Sequence, residues 1–333
     1  MLNNKSILIT GGTGSFGKKF LEVIFKRYKK MKRVVVFSRD ELKQFHMSNQ
    51  YPKKKFPQIR FFIGDVRDKN RLARALKGID VVVHAAALKQ VPAAEYNPNE
   101  FIKTNVLGAH NIIEACIDNN VKKVVALSTD KAAAPINLYG ATKLCSDKLF
   151  TAARNYAGTK DLTFSVVRYG NVLESRGSVI PLFKEQRKTG LITLTDKEMT
   201  RFSISLEDGV NMVLWAIQKS LGGEIIVPKV TSFKILELAK LIAPGCKIKI
   251  IGKRLGEKIH EELITTGDLD TTYDIGKYFL ILSGNDKKNI NLFKNKFNKF
   301  KKLENITSYN SKDNSDLLVG NDLKNYLKKN QVI

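Results

Sequence analysis

A chain of 333 residues, 43% of them hydrophobic, has the size of one large α/β domain with a smaller appendage. No apolar run approaches membrane-spanning length and no secretion signal opens the chain, so a cytoplasmic protein is expected. Three scattered cysteines without a C-x-x-C pair offer neither a zinc site nor a disulfide framework. The net charge of +25 is spread along the chain, with clusters at 26–33, 53–55 and 293–302. It falls in no helix-turn-helix, finger or aromatic RNA-binding pattern, so a solvated surface that attracts anionic ligands is expected rather than nucleic-acid binding.

Residues 6–10 form a short apolar, β-branched run that enters a glycine turn, Gly11-Gly12-Thr13-Gly14-Ser15-Phe16-Gly17, and an amphipathic segment leaves it. This is the strand–turn–helix of a dinucleotide-binding βαβ unit, whose glycines let the backbone approach a pyrophosphate at the helix N-terminus. The spacing is G-x-x-G-x-x-G. Residues 33–38 read as the second strand, ending on Ser38-Arg39 with Asp40, Glu41 and Lys43 after it. A hydroxyl and a guanidinium suit the 2′-phosphate of NADP, and the two acids keep NAD as the lesser alternative. The third strand, 60–63, leads to Asp65, placed to reach adenine or to cap a helix. The fourth, 79–84, is apolar as a buried parallel strand should be, and ends on His84, expected to be a packing residue, and small residues.

The fifth strand, 123–128, runs into Thr129-Asp130-Lys131, and eight residues beyond Lys131 stands Tyr139-Gly140-Ala141-Thr142-Lys143. On a helix, Tyr139 and Lys143 share a face, so the ammonium is expected beside the phenol, lowering its pKa toward that of a usable base.

With these residues the chain resembles the extended short-chain dehydrogenases/reductases that act on nucleotide sugars. The resemblance includes Ser38-Arg39-Asp40-Glu41, the stretch from His84 to Pro92, Arg168-Tyr169-Gly170-Asn171-Val172 and the stretch from Leu255 to Glu262. Sugar 4,6-dehydratases of this superfamily carry two acids after the threonine. Here Lys131 replaces the second, as in the C5-inverting UDP-N-acetylglucosamine 4,6-dehydratases of pseudaminic-acid biosynthesis, the route to flagellin glycosylation. The resemblance implies a cycle in which Tyr139, with Lys143 and Thr129, deprotonates the C4 hydroxyl as hydride passes to NADP⁺. Asp130 then protonates the departing C6 hydroxyl, Lys131 takes the C5 proton, and hydride returns to C6. Lys131 must be partly neutral for that task, whereas Asp130 beside it favours the charged form. Tyr139 and Lys131 could also exchange these roles.

The remaining chain fits a doubly wound parallel Rossmann sheet with a smaller C-terminal α/β lobe. Residues 1–172 and 203–227 are assigned to the NADP-binding domain, 173–202 and 228–333 to the UDP-sugar lobe. A helix is expected to start at Gly177, and the Lys/Asn-rich segment from about Asn285 to be ordered in part. Candidate cofactor contacts are Gly11, Thr13, Gly14, Ser15, Phe16, Gly17, Ser38, Arg39, Lys43, Asp65, Val66, Ala85, Ala86, Lys89, Asn105, Tyr139 and Lys143. Candidate substrate contacts are Lys89, Asn171, Val179, Thr193, Met199, Arg201, Arg254, Glu257 and His260; no metal ligand is expected. The family resemblance also implies a homo-oligomer, a hexamer. Competing readings are a retaining 4,6-dehydratase, a UDP-sugar 4-epimerase, which needs Thr129 and Tyr139 but not Asp130 and Lys131, and a non-catalytic dinucleotide-binding scaffold.

Overall fold

The computed structural model describes residues 1–158, 161–173 and 178–333. Its centre is a ten-stranded sheet. Strands β1 (Ser6–Thr10), β2 (Arg33–Ser38), β3 (Ile59–Ile63), β4 (Val81–His84), β5 (Lys123–Thr129) and β6 (Thr163–Tyr169) run parallel in the order 3-2-1-4-5-6. This order reverses direction beside β1, and ligands of such sheets sit at the carboxyl ends of the strands there. All five residues of β1 are buried, which explains why Ile7, Leu8 and Ile9 are apolar without alternation. Helix α1 (Ser15–Arg27) buries Phe20, Leu21, Val23, Ile24 and Phe25, and its last turn carries Lys26 and Arg27, favourable to the helix dipole.

The strand Glu224–Pro228 extends the parallel sheet beside β6. The division of the chain then departs from the sequence reading. Tyr278–Leu282 pairs antiparallel with Glu224–Pro228, Thr272–Asp274 pairs with Tyr278–Leu282, and Lys301–Lys302 lies beyond. Residues 272–302 therefore adjoin the main sheet, not the lobe. The reason is hydrophobic: every residue of Tyr278–Leu282 is buried, and Phe293 of the helix Lys287–Lys296 enters the main core. Trp215 stacks on Phe297 with ring centroids 5.8 Å apart. The surrounding lysines and asparagines conceal this strand in the sequence.

The lobe is built from a four-stranded sheet of Leu317–Leu318, Ser232–Lys234, Thr200–Ile204 and Asn171–Val172, and from a parallel pair, Leu191–Leu194 with Lys247–Ile250. Thr200–Ile204 lies wholly in the lobe sheet, so the expected boundary at residue 203 cuts a strand. Ile180, Phe183, Leu194, Leu238, Leu323 and Leu327 form its separate core, with the last two supplied by the terminal helix Gly320–Lys329. The expected helix start at Gly177 lies outside the described residues; the helix there is Val179–Gln186. Among the described residues no helix is long and apolar enough to cross a membrane, and no cluster of His, Cys, Asp or Glu could hold a metal ion.

Candidate active site

A cavity of about 1170 Å³ lies between the carboxyl ends of the parallel strands and the lobe. Its floor is the glycine turn. Gly11 has φ +64°, and a Cβ there would lie 2.9 Å from the backbone nitrogen and Cα of Ala86. The turn and the exit of β4 thus approach more closely than any side chain allows. Thr10 pins them: its Oγ1 accepts from the N–H groups of Ala85 (3.1 Å) and Ala86 (3.2 Å) and bonds His84 Nδ1 at 2.9 Å. Burial, with Lys143 adding to it, pushes the His84 pKa down to about 3, so its ring is a neutral packing group. Gly14 caps α1 without a side-chain bond, leaving its first N–H groups for a ligand. A cradle that a single methyl would fill, at a helix N-terminus, fits a pyrophosphate.

At the far end of the cavity, Gln44 Nε2 holds the Ser38 carbonyl and hydroxyl, each at 3.0 Å. Asp40 caps the next helix by accepting from Lys43 N and also pairs with the Lys43 ammonium. Arg39 is half-exposed and lies 3.6 Å from Asp65, whose carboxylate is gripped by Arg67 at 2.8 Å. Burial opposes that carboxylate's charge, but hydrogen bonds and charge from Arg67 outweigh it and hold Asp65 below the usual range.

Titratable side chains gather where β5 ends. Thr129 Oγ1 donates to Asp130 Oδ1 at 2.9 Å, and Lys131 Nζ donates to the same oxygen at 3.0 Å and to Asn171 Oδ1 at 3.3 Å. A second carboxylate, Glu261, faces Lys131 Nζ at 3.3 Å. Burial favours the neutral amine, yet Asp130 and Glu261 override it and hold Lys131 as an ammonium well above the ordinary lysine range. Tyr139 is pushed up to about 12: burial raises it, and Lys131 and the Thr129 hydroxyl recover only part of that. Lys143 Nζ donates to the Leu127 carbonyl at 2.8 Å, and burial lowers its pKa while Asp147, one turn further on, opposes this. Ser128 Oγ in turn donates to Asp147 Oδ2 at 2.7 Å, and the fully buried Arg168 bridges Asp147 and Asp268, both at 3.3 Å.

The lobe closes over this group through residues 254–262. Arg201 donates to the carbonyls of Thr200, Ile259 and Lys258. Lys258 Nζ donates to the Ala133 carbonyl at 2.7 Å, and Asn137 Nδ2 to the Gly256 carbonyl at 2.8 Å. Arg254 pairs with Glu257 at 3.1 Å.

Residues 7–283 match the family described as "Polysaccharide biosynthesis protein". The chain belongs to that family, a group of extended short-chain dehydrogenases/reductases. It is 56% identical over 283 residues to the inverting UDP-N-acetylglucosamine 4,6-dehydratase of Campylobacter jejuni, covering 84% of each chain. It is also 43% identical over 320 residues to a UDP-glucose 4-epimerase of Rickettsia akari, covering 94% and 93%. Among solved structures, Pen from Bacillus thuringiensis superposes with a TM-score of 0.89 at 35% identity over the whole of both chains. DesIV, a dTDP-glucose 4,6-dehydratase from Streptomyces venezuelae with NAD bound, gives 0.66 at 25% over 76% of this chain and 86% of its own.

In this short-chain dehydrogenase/reductase, most residues singled out in the sequence border one cavity, from Gly11 and Arg39 at one end to Val179, Thr193, Met199 and Arg201 in the lobe. Four do not. Gly17 is a packing glycine, since a Cβ would sit 2.2 Å from the Gly12 carbonyl oxygen. Asn105 is buried and clamps the Leu88 backbone and Thr142, so it shapes the cavity wall from behind. His260 bonds Thr200 Oγ1 at 2.8 Å and does not line the cavity. Asp130 is wholly buried beneath Lys131, so its expected donation to a leaving hydroxyl has no direct path. The expectation that Lys143 lowers Tyr139 is also corrected: the cation that chiefly does so is Lys131. Glu261 was missed as a site residue. Its only signal was its place at the end of the Leu255–Glu262 stretch, numbered 255–262.

Proposed function

We propose that this chain is a UDP-N-acetylglucosamine 4,6-dehydratase that inverts C5 and works with NADP⁺. The carrying observation is the ammonium of Lys131, held between Asp130 and Glu261 on the cavity that Thr129 and Tyr139 also border. An epimerase has nothing to do at C5 and C6, and the Thr129–Tyr139 pair would suffice for it. A charged proton donor beside that pair supports elimination of water, and the identity to the inverting enzyme of Campylobacter jejuni favours the same reading.

A nicotinamide dinucleotide held by the glycine turn, Ser38 and Arg39 would supply the hydride acceptor for sugar C4 and the donor for C6. Tyr139 takes the C4 hydroxyl proton, oriented by Thr129 and favoured as phenolate by the Lys131 charge. The resulting C4 ketone acidifies the C5 proton. Lys131, the member of the Asp130–Lys131 pair that borders the cavity, takes the C5 proton as it gives its own to the departing C6 hydroxyl, and Tyr139 returns its proton to C5 as hydride returns to C6. Asp130 holds the lysine charged from behind. Arg39 and Lys43 support NADP by offering cations to a 2′-phosphate. Arg201, Arg254 and Lys89 all border the cavity, and their charge supports binding of a diphosphate. A homo-oligomer and a product that enters pseudaminic-acid biosynthesis complete this reading.

The test is incubation with UDP-N-acetylglucosamine in D₂O, followed by NMR and mass spectrometry. A dehydrated 4-keto sugar with deuterium at C5 and L-configured couplings is expected. D-configured couplings would mean a retaining enzyme, and UDP-N-acetylgalactosamine without water loss would mean an epimerase.

A further inference from the structure

Strands β2 and β3 end side by side. Gly64 N donates to the Ser38 carbonyl at 3.0 Å, so the next residues, Arg39 and Asp65, leave the sheet as neighbours on the cavity. A carboxylate there is a liability for a cation that is to receive a phosphate. Left to itself, it draws the guanidinium into an ion pair and adds a negative charge that repels the phosphate. Arg39 is half-exposed, and its Nη1 stands 3.6 Å from Asp65 Oδ2, longer than a hydrogen bond.

What holds Asp65 is Arg67. Its backbone N–H donates to Oδ1 at 2.9 Å, and its Nε and Nη2 donate to Oδ2 at 3.0 and 2.8 Å. Nη1 turns the other way, to Glu100 Oε2 at 2.6 Å, so all three guanidinium nitrogens are committed and the fork is fixed. Glu100 in turn faces Lys103 at 3.4 Å. Burial opposes the Asp65 charge and Arg67 outweighs it, while Arg39 contributes least. Lys43, the other cation at this end of the cavity, is paired with Asp40. Arg39, Lys43 and Asp65 line the cavity and Arg67 does not, so Arg67 acts on a ligand there through Asp65.

Resting on the NADP reading above, we propose that Arg67 is a positioning residue that sets the preference for NADP⁺: it takes up Asp65 and leaves the Arg39 guanidinium available to the 2′-phosphate. The Asp65 and Arg67 charges cancel, so Arg39 presents its own charge to the cavity. Without Arg67 the carboxylate recruits Arg39, and the phosphate loses its cation and gains a repelling neighbour. NAD⁺ carries a hydroxyl at that position, forms no ion pair with Arg39 and is indifferent to the exchange.

The experiment is calorimetric titration of NADP⁺ and of NAD⁺ into the wild-type, Arg67→Ala, Asp65→Asn and doubly substituted proteins. Arg67→Ala should weaken NADP⁺ binding roughly tenfold or more, the effect of about one charge-assisted contact, and change NAD⁺ binding less than about threefold. In the Asp65→Asn background the same substitution should leave the ratio of the two dissociation constants within about threefold, because no carboxylate charge is left to restrain. Equal weakening of both cofactors by Arg67→Ala would mean a structural role or an adenine contact and would overturn the proposal. A lost preference that appears equally in the Asp65→Asn background would overturn it too. If Arg67→Ala does not fold, Arg67→Gln, which keeps the stem but not the charge, decides by the same ratio. A wild-type protein that binds NADP⁺ no better than NAD⁺ overturns the NADP reading and the proposal with it, whereas a preference that survives Arg67→Ala overturns the proposal alone.

Discussion

Glu224, the first residue of the strand Glu224–Pro228, is 1% exposed. Its Oε1 accepts from Leu221 N at 2.9 Å, and its Oε2 is buried with no partner among the described residues. Burial pushes this carboxyl up to about 7, against backbone N–H groups and Lys123, which pull it down. In the unfolded chain it titrates near its ordinary 4.5. Between those values the folded protein holds a proton that the unfolded chain has released. Stability from this group is therefore greatest below about pH 4.5, falls as pH rises and levels off above about 7. The gap amounts to roughly 3 kcal/mol. Glu224→Gln keeps an acceptor for Leu221 and carries no charge. It should be more stable than wild type at pH 8 by up to roughly 3 kcal/mol, with the advantage gone by about pH 4. Urea unfolding of both proteins at each pH measures the difference, in which other titrating groups cancel. Parallel loss of stability by both proteins between those pH values would refute the reasoning.

Tyr139→Phe should slow cofactor reduction by UDP-N-acetylglucosamine by roughly 10²–10⁴-fold, with dinucleotide affinity unchanged in a titration; weakened dinucleotide binding would mean a structural role. Gly11→Ala forces a non-glycine residue to φ +64° and a Cβ to 2.9 Å from Ala86. It should lose dinucleotide binding and at least about 1–2 kcal/mol of stability from the backbone conformation alone, read by thermal unfolding. Arg39→Ala should raise the KM for NADP⁺ at least tenfold while sparing that for NAD⁺, and an equal rise for both would remove the 2′-phosphate assignment.

The parallel sheet was legible because its strands are buried on both faces, and burial of that kind writes continuous apolar runs such as Val34-Val35-Val36. The glycine turn was legible for the same local reason, since Gly11 must adopt a left-handed conformation wherever the chain makes this turn. Tyr278–Leu282 was misassigned because its apolar run is short and its partner, Glu224–Pro228, is distant in the chain. His260 looked available as a polar residue in a distinctive stretch, and only its bond to Thr200 shows that it is occupied.

By itself, the sequence determined the βαβ turn, the Rossmann class and the grouping of titratable side chains at the end of β5, because these depend on residues adjacent in the chain or four apart on a helix. The tertiary structure alone decided their states. Asp130 and Lys131 are neighbours in sequence, yet one is sealed away and the other borders the cavity. Glu261 reaches Lys131 only when the lobe folds back over the sheet, and it adds the second negative charge that keeps the lysine protonated. Burial and charge act through space, so the protonation of a site belongs to the folded chain.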